Sequence, residues 1–317
     1  MKIAILDDYQ RIARKIVDWS VLPEGTEIEA VDEHIADLSR LQERLAGSEV
    51  IVAMRERTAF GPALLERLPD LRLLVTTGMR NAAIDIEAAT AAGVLVCGTG
   101  GGGPATAELA WGLILSLLRH IPAEDERMRH GGWQNTVGNE LQGKVLGLLG
   151  LGRLGSRMTV IGKAFGMALI AWSQNLTAER AAEFECELVA KENLFARSDV
   201  LSIHLVLSPR TRGLVGDHEL GLMKPSAVLV NTSRGPIVDS TALLRALQDR
   251  RIAGAGIDVY DEEPLPAESP FRSLENVVLT PHLGYVTEET YRVFYRDAIE
   301  DILAYQKGRP VRVINNR

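Results

Sequence analysis

Short apolar runs alternate with stretches of helical periodicity along almost the whole chain. Ile3–Leu6, Val50–Met54, Leu71–Thr76 and Val94–Cys97 are such runs, and Ile28–Val31 is a weaker one. Leu38–Leu45, Ala63–Leu68 and Ile86–Ala92 lie between them with helix-like patterns. A strand buried on both faces reads as a continuous apolar run, and strands alternating with helices build a parallel sheet covered on both sides. The first hundred residues therefore predict one doubly wound α/β unit.

A glycine-rich stretch, Gly98 to Gly103, interrupts the pattern and ends at Pro104. An apolar helix is expected over Ala105–Arg119, with Pro122 ending it. A second series of strands is expected at Val145–Leu149, Ala168–Trp172, Val200–His204, Ala227–Asn231, Gly256–Val259 and Val277–Thr280. Six strands with helices between them suffice for a full dinucleotide-binding sheet. Glu288 to Tyr305 reads as one amphipathic helix. At this level the chain reads as two βαβ series on either side of the glycine-rich stretch.

The 317 residues are more than one ordinary domain needs, which agrees with two. Apolar residues at 46% and charged residues at 24% describe a globular chain. A net charge of −7 repels phosphate backbones and acidic lipid surfaces, so neither nucleic acid nor membrane is an expected partner. Cys97 and Cys186 have no metal-ligand spacing, so neither a metal site nor a disulfide framework is expected. The opening MKIAILDDYQ reads as a first strand rather than a signal peptide, and no apolar run reaches membrane-spanning length. A cytoplasmic protein is the expectation.

Candidate chemistry begins at GLLGLGRLGSRM, which starts at Gly147. Gly150, Gly152 and Gly155 give GxGxxG between a predicted strand and a predicted helix, with Arg153 and Leu154 completing the loop. Gly150 permits a tight turn, a side chain at Gly152 would keep a pyrophosphate off the backbone, and Gly155 lets the helix approach the sheet. The helix N-terminus offers free N–H groups and the positive dipole end. The next strand ends at Trp172 with no acidic residue to hold an adenosine ribose; Ser173, Gln174 and Asn175 follow. NAD and NADP are both open, and Ser173 either meets the ribose or caps the next segment.

Three further segments follow predicted strands: NTSRGPIVD with Arg234, GIDVYDEEPLP with Asp258 and Glu263, and LTPHLGY with His282. In a doubly wound sheet, ligands bind beyond the carboxyl ends of the strands. Taken in order with the glycine loop, these motifs resemble the D-isomer-specific 2-hydroxyacid dehydrogenase family. The likeness runs from Thr106-Ala107-Glu108 to the tail, and more weakly over the first hundred residues. It implies a Rossmann-type cofactor domain over 99–287 inserted into a discontinuous, flavodoxin-like substrate domain formed by 1–98 with 288–317.

The resemblance also implies roles. Arg234 binds the substrate carboxylate and carbonyl, His282 is the general acid and base, and Glu263 orients His282. Thr232, Asp258 and Gly284 position the nicotinamide. Hydride transfer to a ketone leaves alkoxide charge that needs a proton donor and a cation, so the residue types suit the chemistry. On the first domain, VAMRERT and VTTGMRNAAID supply Arg55, Gly78, Met79 and Arg80 as substrate-binding residues. Arg80 stands where relatives have a small residue, and it either meets a second acidic group or points to solvent. Arg55 is likewise a substrate cation or a strand-end surface charge. His204 is expected to be a strand-end packing residue. A homodimer built on helices such as 105–119 is implied. Two alternatives belong to the same resemblance: a redox-sensing co-regulator without turnover, and a phosphoglycerate dehydrogenase, which would be a short form because the chain ends soon after its last helix.

Overall fold

The computed structural model describes residues 1–101 and 103–315. Gly102, Asn316 and Arg317, which the expected domain ranges include, lie outside the described residues. The chain divides into two compact units, Met1–Gly103 with Val286–Arg317, and Pro104–Tyr285.

In the first unit β1 (Lys2–Ile5), β2 (Glu27–Ala30), β3 (Val50–Ala53), β4 (Leu73–Thr76) and β5 (Leu95–Gly98) form a parallel sheet ordered β2-β1-β3-β4-β5. That is the flavodoxin-like order. β3, β4 and β5 are buried along their whole length, which is why they read as unbroken apolar runs. β2 is an edge strand and only partly covered, so its apolar signal was weak. The helices are α1 (Ala13–Ile16), α2 (Leu38–Leu45), α3 (Pro62–Leu65) and α4 (Ile86–Ala91). Asp37 and Asp85 cap α2 and α4 by accepting from Arg40 N at 2.8 Å and Ala88 N at 2.9 Å. The C-terminal helix, Glu288–Gln306, returns to this unit and buries Tyr291, Phe294, Tyr295 and Ile302.

In the second unit α5 (Ala105–Leu118) and α6 (Ile121–Arg129) precede β6 (Val145–Leu149), α7 (Arg153–Ala164) and β7 (Ala168–Trp172). α8 (Ala178–Ala182), β8 (Glu187–Leu188), α9 (Lys191–Arg197) and β9 (Val200–Ile203) follow. α10 (Asp217–Leu222), β10 (Val228–Asn231), α11 (Ser240–Gln248), β11 (Gly254–Ile257) and β12 (Val277–Leu279) complete it. The sheet is parallel and ordered β12-β11-β10-β9-β6-β7-β8. Chain order reverses between β6 and β9, so the switch point lies at their carboxyl ends. α5 buries Ala110, Trp111, Leu113 and Ile114 against this sheet.

Two expectations are corrected. The sheet has seven strands, not six, because β8 adds a two-residue edge. So short a strand carries no periodicity to read. Pro122 does not end the preceding helix. His120 takes a left-handed turn at φ 53°, and Pro122 sits in the first turn of α6, where a missing N–H costs no hydrogen bond.

Candidate active site

The loop between β6 and α7 lies at the switch point. Gly150 has φ +106°, a conformation that side chains rarely adopt, and its N–H donates to Trp172 O at 2.9 Å. A Cβ at Gly155 would lie 2.1 Å from Gly150 O, so only glycine allows α7 to start this close to the strand. A Cβ at Gly152, by contrast, would meet nothing within 4 Å. Open space therefore stands before the N-terminus of the 12-residue α7, whose cap residue Gly152 offers no side-chain hydrogen bond. First-turn N–H groups facing open space are what a diphosphate requires, and the loop fits a dinucleotide. Arg153 and Leu154 begin the helix, and Arg153 is exposed.

Ser173 follows β7 and is partly buried. It does not cap the next helix. Thr177 does so, its side chain accepting from Arg180 N at 3.2 Å. His204 follows β9, and its N–H donates to Leu149 O at 2.8 Å. Its Nε2 lies 2.8 Å from Ser202 Oγ, its Nδ1 is buried with no partner among the described residues, and burial pushes its pKa down to about 4. A neutral imidazole thus backs the glycine loop.

The carboxyl ends of β10, β11 and β12 carry the remaining groups. Arg234 follows β10. Asn231 donates from Nδ2 to Arg234 O at 3.0 Å and accepts from Ser233 N at 3.0 Å, which shapes the turn. Arg234 Nη1 donates to Ser233 O at 2.7 Å. Thr232 Oγ1, between them, is buried with no hydrogen-bond partner among the described residues.

Asp258 follows β11 and is fully buried. Its Oδ1 accepts from Thr280 Oγ1 at 2.6 Å and Leu283 N at 2.7 Å, and its Oδ2 accepts from Gly284 N at 2.9 Å. Burial raises its pKa, opposed by these donors and by the charge of His282. The carboxylate is the anchor of the turn after β12. That turn holds His282 at φ +54°, a costly conformation kept by His282 N donating to Asp258 O at 2.8 Å.

His282 Nδ1 lies 2.6 Å from Glu263 Oε2. Glu263 Oε1 accepts from Tyr260 N at 2.9 Å, so the carboxylate is held from its other oxygen. Tyr260 OH donates toward Ile257 O and Thr280 O, each at 3.0 Å, and ties the ends of β11 and β12 together. The Tyr285 ring stands edge-on to the His282 ring at 5.3 Å. The side chains of His282 and Glu263 are only 13% and 25% exposed, so the pair is shielded but reachable. A carboxylate that orients an imidazole through Nδ1 leaves Nε2 as the nitrogen that takes up or gives a proton.

Residues 111–284 match the model of the D-isomer specific 2-hydroxyacid dehydrogenase, NAD binding domain. The chain belongs to the D-isomer-specific 2-hydroxyacid dehydrogenase family. It is 42% identical over 263 residues to a glyoxylate reductase of Aeropyrum pernix, covering 80% of this chain and 78% of that one. It is 35% identical over 264 residues to a D-3-phosphoglycerate dehydrogenase of Synechocystis, covering 82% of this chain and 48% of the relative. A phosphoglycerate oxidoreductase structure from Vibrio cholerae superposes with a TM-score of 0.94 at 38% identity, covering 97% of this chain and 99% of that one.

The first unit of this dehydrogenase carries the other predicted residues on one pair of loops. Arg55 follows β3 at φ +51°; its N–H donates to Thr77 Oγ1 at 2.9 Å and its Nη1 to Thr77 O at 3.0 Å. Gly78 follows β4 at φ +88°, and a Cβ there would lie 2.2 Å from Arg55 Nη1. Gly78 N donates to Thr99 Oγ1 at 2.8 Å. Met79 and Arg80 are exposed beyond it. Among the described residues no group of three or more His, Cys, Asp or Glu is arranged to hold a metal, and no helix is long and apolar enough to cross a membrane.

Sequence reasoning did not single out Asn231, Tyr260, Thr280 or Asn81 in this dehydrogenase, although each holds a loop that carries a candidate. Asn81 donates from Nδ2 to Arg55 O at 2.6 Å and to Thr76 Oγ1 at 2.9 Å. Their only signal was position: polar groups just past apolar runs, where unpaired strand-end backbone needs partners.

Proposed function

We propose that this dehydrogenase interconverts small 2-oxo acids and D-2-hydroxy acids at the carboxyl ends of β10, β11 and β12. The observation that carries the reading is the 2.6 Å contact between His282 Nδ1 and Glu263 Oε2. A bound nicotinamide dinucleotide supplies or accepts the hydride. His282 Nε2 gives its proton to the developing alkoxide in reduction and takes it back in oxidation. Glu263 keeps the ring oriented through both states, since Nδ1–H donates whether or not the imidazole is charged. Arg234 binds the substrate carboxylate and draws charge toward the carbonyl oxygen.

Gly150, Gly152, Arg153, Leu154 and Gly155 hold the diphosphate in this reading. Ser173 meets the adenosine ribose. Thr232, Asp258 and Gly284 shape the nicotinamide end, with the Thr232 hydroxyl ready to bond the carboxamide. Arg55, Gly78, Met79 and Arg80 bind substrate on the first unit, which makes it the substrate domain and the second unit the cofactor domain. NAD and NADP are both admitted, because no carboxylate follows Trp172 to repel a 2′-phosphate. A cytoplasmic homodimer belongs to the same reading.

The test is oxidation of NADH and NADPH by the purified protein with glyoxylate, hydroxypyruvate, pyruvate, phenylpyruvate, oxaloacetate and phosphohydroxypyruvate. Turnover is expected with one or more of them. His282→Ala is expected to lower kcat by ~10²–10⁴-fold or more, the range for a lost general acid. Near-normal turnover by that variant refutes the role of His282. Tight dinucleotide binding with no turnover on any substrate would instead indicate a redox-sensing co-regulator.

A further inference from the structure

We propose that Arg80 gives this dehydrogenase a preference for 2-oxo acids that carry a second anionic group, a carboxylate or a phosphate, at the end away from the reacting carbonyl. The inference rests on the dehydrogenase reading above and deepens it. It starts from the loop after β4, which is braced rather than loose. Gly78 N is taken by Thr99 Oγ1 at 2.8 Å, and Asn81 bonds Arg55 O at 2.6 Å, Thr76 Oγ1 at 2.9 Å and Ala83 N at 2.9 Å. Arg55 is held beneath Gly78 by Thr77. Between these fixed points the backbone N–H groups of Met79 and Arg80 have no hydrogen-bond partner among the described residues. Two open N–H groups beside a guanidinium form a cradle for one carboxylate.

The two arginines of this cradle differ. Arg55 Nε lies 3.7 Å from Glu56 Oε2, and Nη1 is bonded to Thr77 O, so its charge is partly answered inside the protein. Arg80 is exposed, and among the described residues no carboxylate lies within 4.0 Å of its guanidinium. It carries an uncompensated positive charge on an acidic chain, next to the N–H groups that would seat the substrate carboxylate. A substrate with one anionic group is served by the N–H pair and Arg55. A substrate with two has a second group for which Arg80 is the nearest unanswered cation on this loop. The planar guanidinium donates to carboxylate and to phosphate alike in two-point geometry, so both are named.

The experiment measures kcat/KM of the wild type, Arg80→Gln and Arg80→Lys with glyoxylate, oxaloacetate and phosphohydroxypyruvate, at two ionic strengths. The wild type is expected to favour one of the two doubly charged substrates over glyoxylate. Arg80→Gln should lower that preference by about 10- to 100-fold, the loss of one charge-assisted hydrogen bond, and chiefly through KM. Arg80→Lys should restore part of it, and salt should weaken the wild-type preference more than that of Arg80→Gln. Equal losses on all three substrates, or an unchanged preference, overturn the proposal. Turnover of glyoxylate with both doubly charged substrates refused also overturns it, yet leaves the dehydrogenase reading standing. No turnover of any of the three by the wild type overturns both.

Discussion

Replacing Gly235 with alanine drives a methyl group into the backbone of the loop that carries Glu263. A Cβ at Gly235 would lie 2.1 Å from Tyr260 C, 2.3 Å from Tyr260 O and 2.6 Å from Asp261 N. None of these is the end of a flexible side chain, so none can swing aside. Ordinary contact begins at 3.4 Å, so the segments must part by 3.4 − 2.1 = 1.3 Å. Gly235 has no positive φ, so alanine adds no backbone strain and the whole cost is steric. Tyr260 is braced from the far side by its hydroxyl on Ile257 O and Thr280 O, both at 3.0 Å. The displacement therefore falls mainly on the Arg234 turn. Overpacking of this kind costs ~1–3 kcal/mol, and a displacement of ~1 Å in a reacting constellation costs ~10²-fold in rate. At ~2–4 °C per kcal/mol for a unit of this size, Tm should fall by roughly 2–12 °C. Steady-state kinetics on the best 2-oxo acid, with a thermal melt followed by circular dichroism, make the assay. A folded variant with lowered Tm and kcat/KM reduced ~10²-fold is the expected result. A folded variant with kcat/KM within threefold of wild type would refute the claim that this contact sets the spacing between Arg234 and Glu263.

Two other predictions concern binding and pH. Gly155→Ala places a Cβ 2.1 Å from Gly150 O, so dinucleotide affinity, read by quenching of tryptophan fluorescence, should drop at least tenfold; retained affinity would refute the role of the loop. Asp301 is fully buried on the C-terminal helix, with Oδ1 3.0 Å from Arg312 Nη2 and Oδ2 without a hydrogen-bond partner among the described residues, and burial pushes its pKa up to about 7. A folded-state pKa above the unfolded value of ~4 gives stability that is fully present below pH ~4 and is lost as pH rises through 7. The unfolding free energy of wild type minus that of Asp301→Asn should therefore decline between pH 4 and 7, by at most ~1.4 kcal/mol per unit, and level off above. Urea titrations across that range check it, and a difference independent of pH would sink it.

The two sheets were legible because their inner strands are buried on both faces, and burial on both faces leaves an unbroken apolar run such as Val50–Ala53 or Val228–Asn231. The glycine loop was legible for a related reason. Strand, turn and helix are contiguous there, so each glycine answers a constraint set within a few residues. Pro122 misled because the same missing N–H suits either side of a helix break, and only the left-handed His120 shows which. β8 was invisible because two residues hold no period.

The candidate site divides along the same line. The chain by itself supplied the chemical types at the strand ends: an arginine, a carboxylate and an imidazole in order. It also supplied the family likeness that suggests their roles. Tertiary structure decided the distances. Glu263 and His282 stand 19 residues apart, and their 2.6 Å contact depends on β11 pairing with β12 in the register Ile257 to Leu279. It depends further on Asp258 gathering the Thr280–Gly284 turn, and on Tyr260 tying two strand ends. Such bonds join residues that are remote in sequence, and their donors and acceptors are ordinary polar groups until the sheet brings them together. Local pattern reports what each segment buries; only the packed fold reports which buried and half-buried groups meet.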